Sequence, residues 1–151
     1  DFKGDLSYAI KVNDMYKQLT RYPSKKISVF IDASFSGGTR GSSHPVPLPG
    51  KRIVFGANQV GGNLIEFLAC SGDQAAQAYR EKQHGLFTYF VLKKFQQAEG
   101  HVSFKELGEY IQKEVSRESE EISGLQQTPA INFGNQSEMD WQSWSFGIEK
   151  K

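Results

Sequence analysis

The chain is poor in the residues that build disulfide frameworks and metal centres. Of its 151 residues, one is a cysteine, Cys70, and three are histidines, His44, His84 and His101. A single cysteine excludes an internal disulfide and a cysteine-rich zinc site, and histidines this scattered do not predict a metal set. An unpaired thiol fits a reducing compartment. We therefore expect a cytoplasmic protein that holds no metal or other cofactor.

Long apolar runs and an excess of charge of either sign are also missing. No stretch approaches the roughly 20 apolar residues that a membrane helix needs. The 18 basic residues are balanced by 17 acidic ones, for a formal net charge of +1. The composition therefore predicts neither a nucleic acid nor a membrane as partner. Gly50-Lys51 lacks the rest of a phosphate-binding loop, and no GxGxxG follows a predicted strand.

What remains is a mixture of helical and strand patterns that predicts one α/β domain. Helical spacing and caps predict three helices, which cover 12–20 with Asn13 as cap, 86–96 as a buried helix, and the residues after a Ser103/Glu106 capping box. Short apolar runs predict four strands, at 27–32, 51–56, 63–70 and 127–133. The first is apolar enough for a strand covered on both faces. Residues 37–50, rich in Gly, Ser and Pro, predict a loop.

Two of these strands end in small and acidic residues. The strand 27–32 runs into Asp32-Ala33-Ser34, and the strand 63–70 runs into Ser71-Gly72-Asp73. Because sites in open α/β sheets form beyond the carboxyl ends of the strands, we expect Asp32, Ser34, Ser71 and Asp73 to meet in one crevice. Ser34 is then a catalytic nucleophile or an ordinary residue of a strand-ending turn.

These segments resemble the motifs of the caspase-like cysteine peptidases, particularly the bacterial members of the caspase and metacaspase clan. Residues 32–37, Asp-Ala-Ser-Phe-Ser-Gly, are similar to the family's Asp-x-Cys-x-Ser-Gly, in which a buried strand carries the nucleophilic cysteine at its tip. Three further family-like segments follow in family order: ACSGDQ at 69–74, HGLFTY at 84–89 and QTP at 127–129. The resemblance is strongest over residues 12–133.

The resemblance implies that residues 1–151 are the C-terminal portion of one caspase-like peptidase domain. The implied fold is a three-layer α/β sandwich with a mostly parallel sheet and helices on both faces. In this family the catalytic histidine precedes the nucleophile strand, whereas no histidine precedes Ser34. An N-terminal segment or partner chain is therefore expected to supply it. His84, in the helix-start motif, is expected to cap and pack that helix, and its use as a substitute catalytic base is the less favoured alternative.

Ser34 occupies the position of the family's cysteine. A hydroxyl replaces a thiol of pKa about 8.5, and a neighbouring imidazole does not ionise it usefully before attack. We therefore expect the chain as written to be inactive. A natural inactive relative and a deliberate Cys-to-Ser substitution both explain the serine, and the intact surroundings favour the substitution. A non-catalytic scaffold that binds peptides or a partner protein, and a hydrolase that uses Ser34 directly, are the alternatives.

The resemblance to metacaspases and paracaspases also implies a substrate. These enzymes use acids to bind the Arg or Lys that precedes the scissile bond. Asp32 and Asp73 would be those acids, since two carboxylates in a partly dry pocket favour a cation. Asp32 is otherwise an acid that caps a turn. Ser71 and Gly72 are expected to present backbone edges to an extended substrate, or to be plain turn residues.

Overall fold

The computed structural model describes residues 11–33, 62–72, 74–134 and 140–147. Their helices and strands, in chain order, are α1 (Val12–Thr20), β1 (Ile27–Ile31), β2 (Leu64–Leu68), β3 (Ala78–Tyr79), β4 (His84–Gly85), α2 (Leu86–Gln97), α3 (Phe104–Ser123) and β5 (Ala130–Phe133). This mixture of helices and strands confirms the α/β class. The predicted loop 37–50 and strand 51–56 lie outside the described residues. None of the helices in the described part combines the length and apolar character that crossing a bilayer requires.

A three-stranded sheet in the order β1-β2-β5 organises the described part of the chain. β1 pairs with β2 in parallel, with Ile27 opposite Leu64 and Ile31 opposite Leu68. β5 pairs with β2 in antiparallel fashion, so the sheet is small and mixed. Because β1 and β2 run in the same direction, their carboxyl ends lie at the same edge. A separate two-stranded sheet joins β3 to β4.

β2 is the buried centre of this arrangement, since all five of its residues are buried. Ile65 and Phe67 belong to the main apolar cluster, to which α2 and α3 contribute. Leu64 instead packs with Tyr16 of α1. Because alternate residues of a strand point to opposite faces, α1 covers one face of β2 while α2 and α3 cover the other.

β1 departs from the expectation of a strand covered on both faces. Its burial alternates, with Ser28 and Phe30 exposed and the other three residues half-buried. The Phe30 ring nevertheless stacks on that of Phe67, with centroids 4.8 Å apart. The apolar run of β1 therefore predicted complete burial wrongly, whereas β2, for which no such burial was predicted, is buried throughout.

The sequence signals for the helix ends are confirmed for α3 and wrong for the start of α1. The capping box is confirmed, because the Ser103 hydroxyl accepts from the Glu106 N–H and the Glu106 carboxylate accepts from the Ser103 N–H. The helix ends at Gly124, whose φ of 69° suits glycine. Asn13 is not the cap of α1, because Lys11 occupies that position without a side-chain bond.

α2 and α3 bury one face each. Phe104, Leu107, Ile111 and Val115 are all buried along α3, as their spacing predicts. α2 buries Leu86, Phe87, Phe90 and Val91, but Leu92 is 51% exposed. The prediction of a helix buried all round is therefore wrong for α2. Trp141, Trp144 and Phe146 pack against the same cluster, and the Phe146 ring lies 4.0 Å from that of Phe104.

Glu66 is a carboxylic acid inside the buried strand. It faces the α1 side of the sheet with none of its surface exposed. Its Oε2 accepts a hydrogen bond of 2.8 Å from the Asn132 amide on β5, whereas its Oε1 has no partner in the described part of the chain. Burial raises the pKa of Glu66 above its ordinary 4.5, and the bond from Asn132 offsets only part of this.

Glu66→Gln is expected to stabilise the protein at neutral pH. Below pH 4.5 the folded and unfolded chains both carry protonated Glu66, so the acid costs nothing. As the pH rises toward the raised pKa of the folded state, only the unfolded chain ionises and stability falls. The variant should lack this fall, so its advantage over the unsubstituted chain in urea unfolding should grow as the pH rises above 4.5. Glu109→Gln on the exposed side of α3 is the matched control and should change stability little.

Candidate functional site

The carboxyl ends of β1 and β2 meet at one edge of the sheet. The Ala69 N–H donates to the Ile31 carbonyl at 2.9 Å, which extends the strand pairing to the last residue of β1. Just beyond it, Cys70 Sγ lies 3.7 Å from the carbonyl oxygen of Ala33. The residues that follow the two strands are therefore neighbours. Asp32 lies at this edge, and Ser71 follows Cys70 in the chain, while Ser34 and Asp73 lie outside the described residues.

Asp32 joins the tip of β1 to the start of α2. Its Oδ2 accepts a hydrogen bond of 2.5 Å from the Thr88 hydroxyl in the first turn of that helix. The amino-terminal end of a helix favours an anion, and the first turn of α2 contains no acid of its own. The half-buried carboxylate therefore has a structural partner in α2, which fits the view of Asp32 as a capping acid.

Gly85 makes this approach possible. It is the N-cap residue of α2, and its φ of −67° is open to any residue. A Cβ at this position would, however, overlap the Oδ2 of Asp32. A larger residue at position 85 would force the carboxylate to move, so the glycine permits Asp32 to pack directly against the backbone of the helix start.

Ser71 and Gly72 form a tight turn after β2. The Ser71 carbonyl accepts from the Gln74 N–H at 3.1 Å, and the Ser71 N–H donates to the Gln74 side-chain oxygen at 3.4 Å. The Ser71 hydroxyl donates to the Thr128 carbonyl at 2.8 Å. Ser71 thus uses its polar groups within the protein, as a turn residue does. Gly72 is exposed and has a φ of 59°.

Two glutamines that the sequence patterns did not single out hold this turn. Gln74 Oε1 accepts a hydrogen bond of 2.7 Å from the Thr128 N–H. Gln127, fully buried, donates from Nε2 to the Ala69 carbonyl and accepts at Oε1 from the Gln77 N–H. Hydrophobic periodicity has no signature for a buried amide. The sequence signals were the resemblances of residues 69–74 and 127–129 to family motifs, and these gave no role to either glutamine.

Cys70 is half-buried beside the site and is not an activated thiol. Its Sγ lies 3.2 Å from the Gln74 carbonyl oxygen. Burial, and secondarily the negative charge of Asp32, raise the pKa of Cys70 to about 11. A thiol in this environment is protonated at neutral pH and is therefore a weak nucleophile.

His84 was expected to cap α2, but Gly85 is the N-cap residue of that helix. His84 is exposed on β4, where it pairs with Tyr79. His101 follows the carboxyl end of α2, whereas Thr88 lies in its first turn, about 14 Å along the helix axis from Gln97. Among the described residues, no three His, Cys, Asp or Glu side chains are grouped to hold a metal ion.

Comparisons with other proteins found no match to this chain. No family model matches the chain, and neither a curated protein nor a solved structure is significantly similar to it. The likeness to caspase-like peptidases therefore rests on the chain's own motifs.

Cys70 is expected to alkylate slowly. A pKa of about 11 in place of 9.0 leaves about 100-fold less thiolate at pH 8, and iodoacetamide labelling should slow accordingly. Asp32→Asn should lower the midpoint of the labelling profile, because it removes a negative charge that opposes ionisation. Glu81→Gln on the exposed turn between β3 and β4 should leave it unchanged. The labelling rate is measured by mass spectrometry. A rate equal to that of an unstructured thiol would contradict the described environment.

The bond between Thr88 and Asp32 is expected to contribute to stability. Thr88→Val keeps the shape and the β-branch but removes the hydroxyl, so it should cost about 1 to 2 kcal/mol in the free energy of unfolding. Thr88→Ser retains the donor and should recover most of this loss. Urea unfolding with an unchanged m value is the measurement. Equal losses in the two variants would mean that packing, not the hydrogen bond, is what Thr88 contributes.

Proposed function

We propose that this chain is the nucleophile-bearing portion of a cysteine endopeptidase of the caspase and metacaspase type, which cleaves after Arg or Lys. Ser34 stands in place of the nucleophilic cysteine, so the chain as written is the inactive form. The observation that carries the proposal is the meeting of the β1 and β2 ends, where Cys70 approaches Ala33, the residue before position 34. Parallel strands bring candidate residues together in this way at the carboxyl edge of a sheet.

The proposed fold is a caspase-like three-layer sandwich with a mostly parallel sheet. Its support is the parallel pairing of β1 with β2 and the placement of helices on both faces of β2. The antiparallel strand β5 would then lie toward one side of a larger sheet. In this proposal, an N-terminal segment or partner chain completes the domain and carries the catalytic histidine.

The proposed reaction follows the chemistry of cysteine peptidases. A thiolate at position 34 attacks the carbonyl carbon of the scissile peptide, and the histidine of the N-terminal part protonates the leaving amine. Backbone N–H groups, including that of residue 34, would hold the negative charge on the carbonyl oxygen. Water then releases the acyl group from the sulfur. With a serine hydroxyl at position 34, the attacking anion is not available at neutral pH.

Specificity for Arg or Lys is assigned to Asp32 together with Asp73. A carboxylate accepts several hydrogen bonds, so the bond from Thr88 to Asp32 is compatible with a guanidinium or ammonium ligand. The same bond would keep the carboxylate in a fixed direction when the ligand arrives. Asp32 then joins the position of the helix to the recognition of substrate charge.

A non-catalytic scaffold that binds peptides or a partner protein is the second candidate. The observations that favour it are the serine itself and the raised pKa of Cys70, which leaves no activated thiol among the described residues. The two proposals predict different residues at position 34 of the protein that the natural gene encodes. A cysteine there indicates the enzyme, and a serine indicates the scaffold.

Cleavage by the Ser34→Cys variant, assayed with its N-terminal part, tests the proposal. Peptides with Arg or Lys before the scissile bond should be cut, and peptides with Asp or Ala there should not. Asp32→Asn in that background should lower kcat/KM for Arg peptides by about 10-fold or more, since a charge-assisted hydrogen bond is lost. Ser34→Ala is the inactive control. Cleavage after Asp alone would overturn the specificity, and peptide binding without any cleavage would favour the scaffold.

A further inference from the structure

We propose that Gln127 is a positioning residue that sets the shape of the turn carrying Ser71 and Gly72. The contacts of Gln127 stand by themselves, while the assignment of this turn to substrate binding rests on the proposed function. Gln127 precedes β5 in the chain, far from the turn in sequence, and its side chain is fully buried.

One amide side chain joins both ends of the connection between β2 and β3. Nε2 of Gln127 donates to the carbonyl of Ala69, the first residue after β2, at 2.9 Å. Oε1 of the same side chain accepts from the N–H of Gln77, the last residue before β3, at 2.7 Å. Ser71 and Gly72 lie between these two points. The separation of the two ends is therefore set by the length of a single amide group.

The backbone of Gln127 is anchored to α3. The Gln127 N–H donates to the hydroxyl of Ser119, a buried residue of that helix, at 3.0 Å. Gln77 is tied to the end of the same helix, because its Oε1 accepts from the Ser123 hydroxyl at 2.9 Å. We call the Gln127 side chain and its two hydrogen bonds the clamp. Through these contacts, the turn after β2 is held in a fixed position relative to the 20-residue helix α3.

Thr128, the next residue, also bonds to the turn, through its backbone groups. Its N–H donates to Gln74 Oε1, and its carbonyl accepts from the Ser71 hydroxyl. These bonds hold the inside of the turn, whereas Gln127 holds its two ends. Gln127 is the more decisive of the two residues, because it has no exposed surface and water cannot substitute for a lost bond.

The pair of contacts requires a group that both donates and accepts. An ionised carboxylate of the same shape can only accept, so it would face the Ala69 carbonyl with a negative oxygen. A protonated carboxyl has one donor and one acceptor and can restore both bonds. Gln127→Glu is therefore a version of the clamp that titrates, with a pKa raised by burial. Gln127→Met, which is neutral and of similar length, removes both bonds.

Hydrogen exchange of the Ser71, Gly72 and Gln74 amides, followed by NMR on the Ser34 chain, tests the clamp without need of activity. In Gln127→Glu these amides should exchange at least 10-fold faster than in the unsubstituted chain at pH 8. The two chains should converge as the pH falls to 5.5. Gln127→Met should exchange faster at both pH values. Gln112→Glu is the matched control, because Gln112 donates to Pro129 and not to the turn. Unchanged exchange in both Gln127 variants would overturn the clamp.

The link to substrate is tested separately in the active Ser34→Cys background. Gln127→Glu should raise KM for an Arg peptide about 10-fold at pH 8 with kcat changed less than twofold, and KM should recover toward pH 5.5. Gln112→Glu should leave KM unchanged. Faster exchange with an unaltered KM would overturn the assignment of the turn to substrate. Absence of cleavage in the Ser34→Cys variant itself would instead count against the peptidase, and exchange alone would then decide the clamp.

Discussion

Five backbone positions of β1 pair in parallel with five positions of β2, and this pairing sets the edge at which both strands end. It persists because β2 is buried on both faces. Burying a side chain such as Ile65 or Phe67 contributes about 1.5 to 3 kcal/mol. Without α1 on one face and α2 with α3 on the other, β2 would expose apolar surface on both sides. The candidate residues therefore owe their proximity to apolar packing that lies elsewhere in the sheet.

Polar side chains then refine what the sheet brings together. Thr88 fixes the Asp32 carboxylate from α2, and Gln127 fixes both ends of the turn after β2. Each of these groups is wholly or partly removed from water, where an unmade hydrogen bond is costly. Contacts with α2 and α3, on one side of the sheet, thus help to orient the Asp32 carboxylate and the turn after β2 at its edge. The site is a junction between the ends of the β-strands and hydrogen bonds from Thr88 on α2 and from Gln127, which lies between α3 and β5.

Much of the fold could be predicted from local sequence signals. The Ser103/Glu106 box and the spacing of apolar residues placed the start and buried face of α3, and the run at 63–70 placed β2. The patterns failed where burial depends on distant neighbours. An apolar run did not distinguish β1, which is half-exposed, from β2. Glu66 was hidden within the second run, and its partner Asn132 lies on another strand.

The candidate site was less predictable than the elements around it. Sequence order indicated that Asp32 and Ser71 follow strand ends, because parallel strands end at a common edge. It could not indicate that Asp32 accepts a hydrogen bond from Thr88, 56 positions away. Nor could it indicate that Ser71 forms hydrogen bonds with Thr128 and Gln74. Buried amides such as Gln127 have no periodic signature. Their role is decided by tertiary geometry alone.

The ends and surface of α3 lead to an order of events in folding. The helix has a capping box at its start, a left-handed glycine at its end and ion pairs such as Arg117 with Glu121 along its exposed side, all formed between near neighbours in the chain. The union of β1 with β2 instead requires closure of the whole segment between Ile31 and Leu64, which costs chain entropy before any contact repays it. Helix α3 can therefore form before the sheet. We therefore expect the strand edge that brings Asp32 and Ser71 together to form after α3.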